Sequence, residues 1–575
     1  MNRFGFGAFA LALFSASLQA QDFVIPPGFG TVRDEEKPQL NATEEADGKA
    51  RNISGAHITA ENENESAVLS KNGGSIAVSG SEIKKTGNTT NDGQSNFYGL
   101  NAAVVAETGS SVSLTGVQIE SDADGANAVF ATGSGAKITA KNVKITTKQN
   151  SSRGLDATYG GTVSAENVEI STAGAHSAAF ATDRGEGIIS VSGGSAKTVG
   201  EGSPVIYSTG NISVKNITGT ATGAEIAVIE GKNSINIESS NLSGAGPNGI
   251  MLYQSFSGDA EIGESVFSVK NSTLKSRSAG AFFYITNTKS KIDISNTNLE
   301  FSSPVLLRAS GNNSERGWGR RGKNGGTVDF SAQNQVLSGN IECDEISAVN
   351  LAFGDGVRFT GAINAKNAGA VTLSLSKNAL VTLSADSYVD SISDADGKFK
   401  NIQSNGFNLY YNKNAAANKK LKGKSYKLQG GGKLIGIAIE RKQITIDETE
   451  RAPQREHAPG EMPALIRLTG TVKISGNTVL FECDDGREFT LETAPAPHEN
   501  HNGNPPQQPA GNAPKMGGAH PQGNPPQGNP PSKDGMQKAI SRAELLLLNG
   551  QTVEIAGFEL KDKNGVFAVF SAEKK

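Results

Sequence analysis

Short triplets reading apolar, polar, apolar recur along the chain at steps of about 25 residues. They are Val112-Ser-Leu114, Ile138-Thr-Ala140, Val163-Ser-Ala165, Ile189-Ser-Val191, Ile212-Ser-Val214, Ile235-Asn-Ile237, Phe267-Ser-Val269 and Ile292-Asp-Ile294. A side-chain period of two belongs to a half-buried strand, so each triplet predicts a strand with one face inward. Ile76-Ala-Val78 and Val328-Asp-Phe330 extend the series at steps of 36 residues, which predict inserted loops.

A second strand follows after a short polar turn, as in Val117-Gln-Ile119, Val143-Lys-Ile145, Val168-Glu-Ile170 and Ile217-Thr-Gly219. Asn142, Asn167, Asn216 and Asn271 recur in that turn, and asparagine tolerates left-handed backbone, so a bend repeated at every turn is predicted. A third strand precedes each triplet, in Ala103-Val104-Val105, Ala128-Val129-Phe130, Ala178-Ala179-Phe180, Val205-Ile206 and Ala227-Val228-Ile229. Three strands per repeat, all running one way, predict a right-handed parallel β-helix solenoid over residues 50–410, roughly thirteen rungs stacked about 4.8 Å apart. An antiparallel sandwich would need hairpin turns between neighbouring strands and would not repeat at this period.

Length and composition agree with a solenoid. A chain of 575 residues is too long for one ordinary core, and 6% aromatic and 36% hydrophobic residues would leave a globular core short of large side chains. A solenoid needs fewer, because each rung buries only a strip of Val, Ile and Ala between its neighbours. The net charge of −4 gives no general attraction to nucleic acid, so none is expected as a partner.

The start, Asn2-Arg3 followed by an apolar run from Phe4 to Ser17 and by Leu18-Gln19-Ala20, reads as a signal peptide over residues 1–20, cut after Ala20. No later segment approaches the roughly 20 apolar residues of a transmembrane helix. The expected location is therefore extracellular, cell-surface or periplasmic. In an oxidising compartment Cys343 and Cys483 are permitted to pair, and the sequence leaves that open.

Ser203-Pro-Val-Ile-Tyr-Ser-Thr-Gly-Asn-Ile-Ser-Val214, Val228-Ile-Glu-Gly-Lys-Asn-Ser-Ile235 and Met251-Leu-Tyr-Gln-Ser-Phe-Ser-Gly-Asp-Ala260 resemble blocks of secreted bacterial right-handed parallel β-helix repeat proteins. The rung pattern is also similar to the passengers of adhesin-like autotransporters, over residues 50–410. The resemblance implies an extracellular β-helix and adhesion or glycan contact. It supplies no catalytic set, and an autotransporter's C-terminal barrel has no counterpart in the pattern.

Residues 21–49 read as an N-terminal segment and 411–462 as a linker with short strands. From Ile466 a second pattern begins: Ile466-Arg-Leu468, Val472-Lys-Ile474, Val479-Leu-Phe481, Phe489-Thr-Leu491, Val553-Glu-Ile555, Phe558-Glu-Leu560 and Val566-Phe-Ala-Val-Phe570. Gly476-Asn477 and Asp485-Gly486 supply hairpin turns, and a helix is predicted over 533–548. The set is similar to a small OB-like β-barrel over 463–575, interrupted by a disordered Pro/Gly-rich loop over 494–532.

Parallel β-helices that cleave polysaccharides need acidic groups gathered on one face. Aligning the third strand gives the column Glu107, Thr132, Thr158, Thr182, Ser208, Gly231, Tyr253 and Ile285, which holds one carboxylate. Asp183-Arg184 with Glu186, and Asp156 one rung earlier, come nearest to a site. The column Val105, Phe130, Phe180, Ile206, Ile229, Met251, Phe283 and Leu306 has apolar neighbours too, and alternation cannot send both sets inward. That face is either covered by inserted loops and the C-terminal domain, or it is an exposed apolar binding stripe.

The insertion around Arg316, Trp318, Arg320 and Arg321 carries the only tryptophan with guanidinium groups, a combination suited to an acidic polysaccharide. Candidate binding residues are thus Trp318, Arg316, Arg320, Arg321, Phe130, Phe180, Met251 and Phe283. His498 and His501 form a weak metal pair, and Asp122-Ala-Asp124-Gly125 and Asp394-Ala-Asp396-Gly397 read as Asp-Gly turns. No metal, cofactor or catalytic residue is expected. The sequence favours a non-enzymatic binding or adhesion protein that meets glycan or a host or bacterial surface protein. A carbohydrate-active enzyme on the same fold and a structural surface protein are the rivals.

Overall fold

A computed structural model of the chain describes residues 36–255, 259–311, 325–441, 466–475, 478–484, 487–493, 548–559 and 566–574. The signal-peptide reading, the helix predicted over 533–548, the Pro/Gly-rich loop and the insertion bearing Arg316, Trp318, Arg320 and Arg321 lie outside those residues. Two compact units are present, 1–452 and 453–575.

The first unit is a parallel β-solenoid of about 15 turns. One strand position of each turn stacks into a 12-stranded sheet that runs from Asn41–Asp47 through Val104–Ala106, Val129–Thr132 and Leu155–Thr158 to Asn340–Cys343. The other two positions merge into a 21-stranded sheet, because Thr162–Thr172, Ile188–Thr198 and Asn211–Ala221 each run through both. The predicted register holds residue by residue: Val112 faces Ile138, then Val163, Ile189, Ile212, Ile235, Phe267 and Ile292. It slips once, at the end, where Ile292 faces Phe330 and Val328 faces Ser290. Stacking continues past the predicted limit, since Leu409–Asn412 pairs in parallel with Lys433–Ile437.

The predicted bend is a column of left-handed residues between the two strand positions. Asn142, Asn167, Asn216, Asn271, Asn296 and Asn334 all have φ between 46° and 55°. The neighbouring rungs use Gly116 and Gly193, for which this region carries no steric cost. Asn167 Nδ2 donates to Asn142 Oδ1 at 2.7 Å, so successive bends are also joined by side chains.

A second periodic device has no signature in the apolar pattern of the chain. Ser121, Thr147, Thr172 and Thr198 point inward in one column and donate their hydroxyls to the carbonyls of Ala126, Ser152, Ser177 and Ser203. Each bond closes a turn that no strand pairing reaches, so a buried carbonyl is satisfied at each of these four rungs. Lys85 occupies the same column one rung earlier. It is fully buried, donates to Asn62 O at 2.9 Å and to Gly87 O, and burial pushes its ammonium down to about 8.

The second unit is a five-stranded sheet closed on itself. Ile466–Ser475 and Thr478–Cys483 form the predicted hairpin, and the two predicted triplets within Ile466–Ser475 are one continuous strand. Thr552–Glu559 pairs antiparallel with Ile466–Ser475, and Glu488–Thr493 pairs parallel with Val566–Lys574. Val472, Phe481, Val553 and Ile555 form its core.

Candidate binding site

On the outer face of the 12-stranded sheet the solenoid departs from simple inward-apolar, outward-polar order. Its outward column reads Val105, Phe130, Asp156, Ala181, Tyr207, Val228, Met251, Tyr284, Arg308 and Glu342. The column aligned from the sequence is therefore corrected. Phe180, Ile206 and Phe283 face the interior one residue away, and only Val105, Phe130 and Met251 of that set face outward in register.

Coverage accounts for the first rungs. Phe130 has no exposed surface and packs with Leu40, Leu69, Leu100 and Val105. The insertion after Lys85 forms a helix, Asp92–Tyr98, that the strand pattern did not predict. Asn91 caps it by accepting from the Gln94 amide, and Gly99 ends it at φ 75°. A Cβ on Gly99 would stand 2.6 Å from the Phe130 ring, so the close approach of helix and sheet requires glycine there.

Under and beside this helix the sheet gathers charge. Arg153 Nη1 donates to Asn96 Oδ1 at 2.8 Å and lies 3.4 Å from Asp156 Oδ2, and its Nη2 meets Asp183 Oδ2 at 2.9 Å. Arg184 places its guanidinium 3.7 Å over the Phe97 ring and pairs with Asp259 Oδ1 at 2.6 Å. Tyr207 and Tyr253 hydroxyls donate to Glu230 Oε2 at 2.9 and 2.7 Å, and Ser255 donates to Glu230 Oε1. At the rim Lys232 bridges Glu186 and Glu261 at 2.9 and 2.5 Å.

Burial governs the protonation of these groups. It raises the Asp156 carboxyl well above the usual range, against the pull of Arg153. It pushes Asp183 up to about 7, again against Arg153 and with help from Asp259 and Glu230. Glu230 is raised by the same desolvation, with its three hydroxyl donors opposing. The Arg153 guanidinium stays charged, since Asp156 and Asp183 outweigh the cost of burying it.

Past this cluster the face turns apolar and aromatic. Val228 and Met251 are 8% exposed and pack with Tyr253, flanked by the half-buried Tyr207 and Tyr284, and Arg308 pairs with Glu342 at 2.7 Å on the next rungs. Tyr207 to Tyr284 spans three rung steps, about 14 Å.

The structure thus brings together Asp156, Asp183 and Arg184, which the sequence had placed near one another, and adds Arg153, Glu230, Asp259, Tyr207 and Tyr253, which it had not. Glu186 stands at the rim. Phe180 and Phe283 lie wholly inside the solenoid core and Phe130 beneath the N-terminal segment and helix, whereas Met251 faces outward, buried in a cluster with Val228 and Tyr253. The Asp-Gly turns act locally: Asp122 pairs with Lys148, Asp124 accepts from the Asn150 amide, and Asp394 accepts from the Asp396 amide. Cys343 is a buried thiol whose ionisation burial pushes up. Among the described residues no cluster of three potential metal ligands occurs, and no helix is long and apolar enough to cross a membrane.

These features define a parallel β-solenoid with a charged and aromatic strip on one lateral face. No protein-family model matches the chain, and no curated protein matches its sequence.

Proposed function

We propose that this chain is an exported binding protein that holds an extended glycan along the strip from Tyr207 to Tyr284. The observation that carries the reading is the ladder of outward Tyr207, Val228, Met251 and Tyr284 on consecutive rungs. Tyrosine offers an apolar ring face and a polar edge, the two characters a sugar ring presents in return. One rung step is close to the length of one sugar unit in a polymer, so successive rungs meet successive sugars. The carboxyl, hydroxyl and amide groups beside the ladder supply the few fixed polar contacts that orient a ligand. Adhesion to a glycan-bearing surface is the biological form this binding takes, and the C-terminal unit is read as an OB-like module on the same chain.

A glycan array probed with wild type and with a Tyr207→Ala/Tyr284→Ala double variant tests the reading. Saturable binding by wild type, reduced at least tenfold in the double variant with an unchanged thermal melt, supports it. Equal binding by the two proteins overturns it. Export is tested by N-terminal sequencing of the mature protein, expected to begin at Gln21.

A second reading, cleavage of the glycan, is favoured by one observation. Asp183, pushed to about 7, lies in the field of Asp259 and Glu230, and unlike carboxyl environments are what acid and base roles require. Assay of new reducing or unsaturated ends on every array-positive glycan separates the two: product at a rate abolished by Asp183→Asn establishes the enzyme.

A further inference from the structure

We infer that the strip takes the end of a glycan chain and not a segment from its middle, because a wall closes it beside Tyr207. This rests on the glycan-binding reading and specifies which part of the polymer is bound. The first ground is the exposure along the outward column. Phe130, Asp156 and Ala181 have no exposed surface. Tyr207 and Tyr284 are half-buried, with Val228 and Met251 at 8% between them, and on the following rungs the side chains of Arg308 and Glu342 are 38% and 36% exposed. The column is sealed in one direction and accessible in the other.

The second ground is what does the sealing. The helix Asp92–Tyr98 lies over the rungs that precede Tyr207. Thr158 Oγ1 donates to Phe97 O at 2.8 Å, Asn96 Oδ1 accepts from Arg153, and the Tyr98 and Tyr159 rings stack with centroids 5.1 Å apart. Arg184 follows Ala181, the neighbour of Tyr207 across the sheet, and lays its guanidinium on the Phe97 ring. A helix with its side chains is about 10 Å across. One sugar advances a chain by about one rung step, roughly 4.8 Å. A chain extended along the ladder would have to climb the whole helix within about two sugars to continue past Tyr207. It ends there instead.

The third ground is backbone strain within the wall. Tyr159 sits at φ 49°, a left-handed conformation that few residues with a Cβ adopt. The next rung meets it with Gly185 at φ 80°, where a Cβ would stand 2.5 Å from the Tyr159 ring. Strained backbone persists where its surroundings over-determine it, and such residues gather at ligand sites. Here the strain holds the Tyr159 ring nearly parallel to Tyr98, 15° apart, and so fixes the helix against the ladder. Phe97, Tyr98 and Tyr159 are all half-buried, so the wall presents aromatic surface of the kind a terminal sugar packs against.

Hyaluronan and mixed-linkage β-glucan, one acidic and one neutral, test the inference by calorimetric titration of the full chain, each as hexasaccharide, dodecasaccharide and long polymer. The expected result is one protein bound per polymer chain at every length, since a chain offers one end of the fitting kind. A number that rises in proportion to chain length overturns end binding and leaves the glycan site standing. Binding of neither polymer at any length overturns both. A Phe97→Ala/Tyr98→Ala variant with an unchanged thermal melt supplies an independent arm. Every bound chain has its end at the wall, so the variant should lose about fivefold in affinity for hexasaccharide and long polymer alike. A loss confined to the hexasaccharide overturns end binding, because only a chain that runs past the wall can escape the substitution.

Discussion

Arg153 and Asp183 are joined by a 2.9 Å ion pair that spans two rungs of the solenoid, with side chains 9% and 8% exposed. Nothing apolar replaces the guanidinium if it is lost, because Asp156 and Asn96 lean on it as well. Arg153→Met is expected to cost about 3–5 kcal/mol at pH 8, the range for stripping one partner from a buried pair. At pH 5, where Asp183 holds its proton and needs no counter-charge, the cost should be smaller. Urea unfolding at the two pH values measures it.

The same cluster sets an unusual pH dependence. Asp183 titrates near 7 in the folded chain and near 3.9 when unfolded, so the folded state binds more protons between those values. Its stabilising contribution is complete below about pH 4 and is lost as pH rises through 7. Asp156 and Glu230, both raised by burial, act in the same direction. The urea midpoint of wild type should fall from pH 5 to pH 8, and Asp183→Asn should flatten that fall.

At the bends, backbone geometry and not side-chain bonding should dominate. Asn167 sits at φ 55°, and its bond to Asn142 is exposed. Asn167→Gly should be neutral within a few tenths of a kcal/mol, whereas Asn167→Ala should cost about 1 kcal/mol, the penalty of left-handed backbone for a residue with a Cβ. Thermal melts of the pair distinguish the two contributions.

The inward and outward assignments have an equally direct check. Ile212 is 1% exposed in the interior column and Ser213 points to solvent. Ile212→Ala should cost about 2–5 kcal/mol through the cavity it leaves, and Ser213→Ala no more than about 0.5. Equal effects in chemical denaturation would contradict the register.

These contrasts show what could be read from the chain in advance. The triplets from Val112 to Ile292 were legible because one face is wet and the other dry, and a slip of one residue would exchange the two. The asparagine bends were legible because few residues accept left-handed backbone. The third strand was not. Its outward side chains are covered too, so Ala178-Ala179-Phe180-Ala181 reads apolar on both faces and offers no alternation to fix register. An alignment one residue off placed Phe180 where Ala181 stands and Thr182 where Asp183 continues the column of Thr132 and Thr158. That shift hid the convergence of Asp156, Asp183 and Glu230. The helix over Arg153 was equally hidden, since seven residues in a polar insertion carry no amphipathic period.

A crystal structure of the chain soaked with the tightest-binding oligosaccharide tests the central claim most directly. Density for consecutive sugars running along the strip, with rings against Tyr207 and Tyr284, is the predicted result. Sugar seated anywhere else on the solenoid, with the strip bare, would contradict it.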